Sequence, residues 1–117
     1  MEHLIKTILS LSQGIRYIAI YTDGKLISSA KEELQNASSS ESDKYEELIV
    51  NPTLLKLVTQ RGNIDCGGAE FVLIRYGHFF EFVKPVAKGH VSIGIQLNGD
   101  LLKLIPLIEE VMTKQDL

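Results

Sequence analysis

The sequence predicts an α+β fold in which five strands form one sheet and helices from the start, middle and end of the chain cover it. Three observations carry this reading. From Ala69 to Leu97, AEFVLIRYGHFFEFVKPVAKGHVSIGIQL reads as three consecutive strands joined by two tight turns. From Ile15 to Ala30, a second alternating stretch folds at Asp23-Gly24, because a type I′ turn needs positive φ at both central positions. Both ends of the chain carry apolar residues at helical spacing.

In chain order, Met1, Leu4, Ile5, Ile8 and Leu9 form one apolar helical stripe, and Gly14 is a plausible stop. So short a helix must dock on something to persist. From Ile15 the period changes to two. Ile15, Tyr17, Ala19 and Tyr21 are expected on one face and Arg16, Ile18, Ile20 and Thr22 on the other, both largely apolar, as in a central strand. Lys25 to Ala30 is shorter and more polar, which suits an edge. Residues 31–44, KEELQNASSSESDK, lose periodicity and read as a solvated Ser-rich loop. Tyr45 to Val50 allows a short helix. Asn51-Pro52 then resembles an N-cap with proline in the first turn of a helix that includes Leu54, Leu55, Leu57 and Val58 and ends near Arg61-Gly62-Asn63.

Cys66-Gly67-Gly68 is expected to be a hinge before the meander. Gly77-His78 and Lys88-Gly89-His90 mark its turns, and Pro85 ends the middle strand or marks a bulge. Gly94 leaves room for close approach of a helix. Asn98 and Asp100 are candidate caps for a last helix with a stripe of Leu101, Leu104, Ile105, Ile108, Val111 and Met112. Pro106 either kinks that helix or marks its true first turn; one kinked helix is the preferred reading.

A chain of 117 residues is expected to form one domain, 1–117, with enough apolar content for a core. The net charge of −3, without a Lys/Arg run, gives no electrostatic reason to expect nucleic acid. No stretch approaches the ~18 apolar residues of a membrane span. The single cysteine and the lack of a signal-peptide pattern at the N-terminus lead to an expected cytoplasmic location. Catalytic chemistry is not visible. Cys66 lacks an evident general base, Gly67-Gly68 lacks the lysine and hydroxyl of a phosphate loop, and His78 and His90 are expected at opposite ends of one strand, too far apart to share a metal. No catalytic residue, cofactor or metal is therefore assigned.

The order of helix, two-strand hairpin, loop and helix, three-strand meander and helix resembles the Roadblock/dynein light chain family, some members of which act beside small Ras-like GTPases. The resemblance rests on IRYIAIYTDGKLISSA at 15–30, FVLIRYGHFFEFVKPVAKGHVSIGIQL at 71–97 and the closing helix from Leu101. It implies a five-stranded antiparallel sheet with the first and last helices on one face and the middle helix on the other. Profilin-like and longin-like folds share much of this order. The resemblance also implies a homodimer joined through the middle helix and the first strand of the meander. In this sequence the corresponding residues are Leu54, Leu55, Leu57, Val58 and Arg61 with Glu70, Phe71, Val72, Leu73, Ile74, Arg75 and Tyr76. The implied role is a non-enzymatic adaptor or scaffold, with a small Ras-like GTPase as the suggested partner. Two other readings stay open. One is a small-molecule sensor with a pocket between sheet and middle helix, using polar groups such as Arg75 or Tyr76. The other is an enzyme drawing on Cys66, His78, His90, Glu81 or Asp23, whose spacing matches no known constellation.

Overall fold

The computed structural model describes residues 1–31 and 40–117. Its elements are helix α1 (Glu2–Leu9), strands β1 (Ile15–Thr22) and β2 (Lys25–Ala30), helix α2 (Ser40–Tyr45), a π-helical segment (Glu46–Val50), helix α3 (Asn51–Asp65), strands β3 (Val72–Arg75), β4 (Phe80–Val86) and β5 (Gly89–Ile95), and helix α4 (Leu101–Thr113). The strands form one antiparallel sheet in the order β2-β1-β5-β4-β3. The expected α+β class is borne out.

Alternation sorts the side chains into two unlike layers. On one face Ile18 and Ile20 of β1, Val91, Ile93 and Ile95 of β5, and Phe82 of β4 meet Leu4, Ile5 and Ile8 of α1 and Leu104, Ile108 and Met112 of α4. All of these are buried, and each contributes about 1.5–3 kcal/mol relative to exposure. The middle helix covers the other face, where polar side chains predominate.

Several local expectations need correction. Ile15 joins Ile18 and Ile20 in the core because β1 bulges between Ile15 and Tyr17, leaving Arg16 as the extra residue. Tyr17, Ala19 and Tyr21 keep their predicted common face. Helix α1 stops at Leu9, before Gly14, with Ser10 as its C-cap. Residues 40–44 of the expected loop are helical, in α2, and residues 32–39 lie outside the described residues.

Asn51 is not a side-chain cap; it lies inside one helical run from Ser40 to Asp65. Its backbone N–H reaches back five residues to the Glu46 carbonyl. A π turn is a reasonable accommodation here, since the Pro52 ring would crowd an ordinary i−4 carbonyl and offers no N–H to it. The helix also continues past Arg61-Gly62-Asn63. Gly62 is buried where the chain folds back over it, so an added Cβ would lie 2.8 Å from the Gly68 carbonyl. Gly67 and Gly68 take positive φ of 78° and 92° to make that return.

In the meander, Pro85 stays within β4 opposite His90, beyond the end of the β3 ladder at Val72↔Val83. His90 is buried within β5 rather than placed in a turn. Gly94 admits the Tyr17 ring, not a helix: a Cβ there would lie 2.4 Å from Tyr17 Cε1. Strand β5 ends at Ile95, leaving Leu97 outside it and 41% exposed. Asp100 occupies the N-cap position of α4 without a side-chain cap, its carbonyl instead accepting from the Leu104 N–H at 2.8 Å. Pro106 is internal to that helix, so it does not mark a first turn.

Candidate functional site

Among the described residues strand β3 is an edge, paired only with β4, and α3 lies on the sheet face beside the buried Ser92 and His90. Leu57 is 60% exposed, and Val58 and Leu73 are also exposed. Charged groups border them. Arg61 pairs with Asp65 at 2.6 Å, Glu70 is exposed, and the Arg75 guanidinium lies 5.6 Å from the centre of the Phe80 ring. The other residues expected here do not all point outward. Leu55 is buried, Phe71 packs on Phe82 with ring centres 4.9 Å apart, and Leu54, Val72 and Ile74 are half-buried. Tyr76 donates its hydroxyl hydrogen to Glu46 Oε1 at 2.7 Å. Tyr45, Leu48, Ile49 and Ile64 extend the exposed apolar surface along the helical run.

Beneath that run lies a polar layer. Glu47 is buried and fully bonded: Ser92 Oγ donates to its Oε2 at 2.7 Å, Asn51 Nδ2 donates to its Oε1 at 3.1 Å, and His90 Nε2 lies 2.8 Å from the same oxygen. These partners offset the cost of placing a carboxylate out of water. Beside it, the Tyr17 hydroxyl donates to Glu81 Oε2, while Glu81 Oε1 and Asn51 Oδ1 are buried without a hydrogen-bond partner among the described residues. Ser92 also lies near Glu81, but its one hydroxyl hydrogen goes to Glu47. Burial, above all, holds the Glu81 carboxyl well above the usual range, and the charges of Glu47 and Glu46 add to this against the lowering effect of Tyr17. Burial likewise raises Glu46, partly opposed by its hydrogen bond from Tyr76. It also raises the Tyr17 and Tyr76 phenols, helped by their carboxylate neighbours.

The layer borders a cleft of about 510 Å³ between the β1–β2 hairpin, the start of the middle helical run and the β3–β4 turn. Ala19, Ser28 and Ala30 leave space at its floor, Tyr17, Tyr76 and Phe79 supply rings, and Glu46 and Glu47 lie along the helical wall. Three of the enzyme candidates are dispersed: Cys66 is exposed at the end of α3, His78 is exposed in the β3–β4 turn and Asp23 is exposed in the hairpin. The other two, Glu81 and His90, enter the buried layer.

This arrangement of sheet and helices has a counterpart of known structure. The crystal structure of a Roadblock/LC7 domain from Streptomyces avermitilis matches 97% of this chain and 95% of its own length with a TM-score of 0.70. The fold is that of a Roadblock/LC7 domain. Identity is 13%, so the likeness is one of fold. No family model and no curated protein matches the sequence.

Within this Roadblock/LC7 fold, the buried layer is what sequence reading missed. Glu47 and Asn51 lie four apart, a spacing that allows a helical pair, but Glu46-Glu47 also reads as an ordinary solvated charge pair. His90 and Ser92 alternate along β5 on the same face as Tyr17 and Ala19, which places polar groups opposite the middle helix. That alternation was the available signal. Leu48 and Ile49 were likewise hidden, because the π segment determines where they point.

Proposed function

We propose that this chain is a single-domain, non-enzymatic adaptor or scaffold that acts as a homodimer joined through α3 and β3. The observation that carries the reading is an open apolar edge strand beside a helix that exposes Leu57 and Val58. Edge strands are usually guarded by charge, a bulge or a covering element, and β3 is VLIR, with three apolar residues and one arginine. A second copy placed across this edge would pair its free backbone groups and cover the helix stripe. The opposite edge, β2, is more polar, with Lys25, Ser28 and Ser29, and suits solvent better. The Roadblock/LC7 fold supports an adaptor role, and the family resemblance suggests a small Ras-like GTPase as the partner in a cytoplasmic setting.

Sedimentation equilibrium of the native chain and Leu57→Glu tests the dimer. The native chain is expected to be dimeric at micromolar concentration. The variant should dissociate at least about a hundredfold more readily, because an unpaired charge buried in an interface costs about 3 kcal/mol or more. A monomeric native chain at high micromolar concentration, or a variant that remains equally dimeric, would refute the assignment. Affinity capture with and without guanine nucleotides tests the partner: the expected result is enrichment of a nucleotide-binding protein, and failure to enrich one counts against the GTPase.

A further inference from the structure

We propose that the middle helical run, from Ser40 to Asp65, is a proton-dependent latch: it docks on the sheet while Glu81 carries a proton and is released when Glu81 ionises. The run is held differently from the other two helices. Helix α1 buries Leu4, Ile5 and Ile8, and α4 buries Leu104, Ile108 and Met112. The run buries Glu47, Asn51, Leu55 and Gly62, so Leu55 is its one fully buried apolar anchor among the described residues. Its hold on the sheet therefore rests on hydrogen bonds in the polar layer, and these depend on where the protons are.

That layer holds more acceptors than donors. Tyr17 gives its hydroxyl hydrogen to Glu81, Tyr76 gives its own to Glu46, and Ser92 Oγ and Asn51 Nδ2 both donate to Glu47. Glu81 Oε1, Glu46 Oε2 and Asn51 Oδ1 are left buried with no hydrogen-bond partner among the described residues. A proton on Glu81 turns one of these acceptors into a donor and removes a charge from a residue with 0% exposure. Glu81 is the natural seat for it, because Glu47 is already bonded at both oxygens and Glu46 is only half-buried.

The groups facing Glu81 are Tyr17 from β1, Ser92 from β5, Glu46 and Glu47 from the π segment and Tyr76 from the end of β3. Asn51 of α3 and His90 of β5 both contact Glu47. His90 is the one member of this set that can carry positive charge, and Glu47 engages it; the Arg16 guanidinium lies over the Phe79 ring, 5.1 Å from its centre. Burial first, then the charges of Glu47 and Glu46, keep Glu81 neutral in the docked state against the hydrogen bond from Tyr17. Once released, Glu81 meets water and returns to the ordinary carboxylate range. Docking is thus fully favoured below that range. Its equilibrium constant then falls by up to about tenfold per pH unit until the docked value is passed. Release also frees the α3 stripe of Leu57 and Val58, so a dimer joined there should weaken as pH rises. That consequence rests on the dimer proposed above, whereas the latch does not.

Amide hydrogen exchange of the full chain between pH 5 and pH 8, corrected for intrinsic rates, tests the latch. Amides of residues 46–62 should be less protected than those of β5, and over this range their protection should fall at least about tenfold more in the native chain than in Glu81→Gln. The carboxyl carbon shift of Glu81 gives a second readout in the native chain alone, and it should titrate above the ordinary carboxylate range. Protection of the run equal to that of β5 at every pH, an equal fall in the variant, or an ordinary Glu81 titration would overturn the proposal. Exchange repeated in dilute solution separates the latch from the dimer. A pH-dependent fall that persists there supports the latch, and one that vanishes belongs to the interface and overturns it. The oligomeric state is measured separately by sedimentation, so failure of the latch leaves the dimer reading untouched.

Discussion

Glu47→Ala removes the acceptor shared by three buried donors. Ser92, Asn51 and His90 each lie within 3.1 Å of this carboxylate, and all three are at most 2% exposed. Leaving one such group unsatisfied costs about 1–3 kcal/mol, so a simple sum would reach the size of the whole folding free energy. That sum is too large, because the substitution also removes the cost of burying the carboxylate and leaves room for water. A net loss of roughly 3 kcal/mol is expected, the lower end of the range for breaking a buried charged pair. In a chain of this length that lowers Tm by about 12 °C. Glu47→Gln keeps an oxygen for Asn51 and His90, and its amide can donate to a rotated Ser92 hydroxyl, so it should cost no more than about 1.5 kcal/mol. Urea unfolding at neutral pH measures both. Glu47→Ala within about 0.5 kcal/mol of the native chain would show that the layer does not hold the helix. A glutamine variant as damaging as alanine would show that the charge matters rather than the hydrogen bonds.

Two other perturbations follow from the same face. The folded Glu81 carboxyl is raised, so it stabilises the fold fully below the unfolded carboxylate range, and that contribution is lost as pH rises toward its folded value. Glu81→Gln should therefore be more stable than the native chain at pH 8, with the gap closing toward pH 4.5; urea midpoints along a pH series would refute this if the gap stayed constant. Gly94→Ala places a methyl group 2.4 Å from Tyr17 Cε1 and should cost about 1–3 kcal/mol, most of which Tyr17→Ala in the same chain should recover. Additive losses in that double-mutant cycle would disprove the contact.

Much of the architecture was legible because hydrophobic period survives without tertiary context. Ile18 and Ile20, Val91 through Ile95, and Leu104 through Met112 announce their elements by spacing alone, and Asp23-Gly24 announces its turn because Asp23 and Gly24 both need positive φ, observed at 54° and 76°. The dimer surface was legible only in part. Sequence assigns Leu57 and Leu55 to one helix, but the packing against β5 exposes the first and buries the second.

The sequence by itself determined the class of fold, the order of its elements and the apolar face under α1 and α4, since period-2 and period-3.6 patterns act over neighbouring residues. Tertiary structure alone decided the other face. Glu47 and His90 are 43 residues apart and Tyr17 and Glu81 are 64 apart, and beyond the alternation of His90 and Ser92 along β5 nothing local pairs these groups with one another. Strand register and the packing of the middle helical run bring them together: β1 lies against β5 with Tyr17 opposite Gly94, and the π segment carries Glu47 over His90 and Ser92. Contacts of that range depend on register and packing, which patterns among neighbouring residues do not encode.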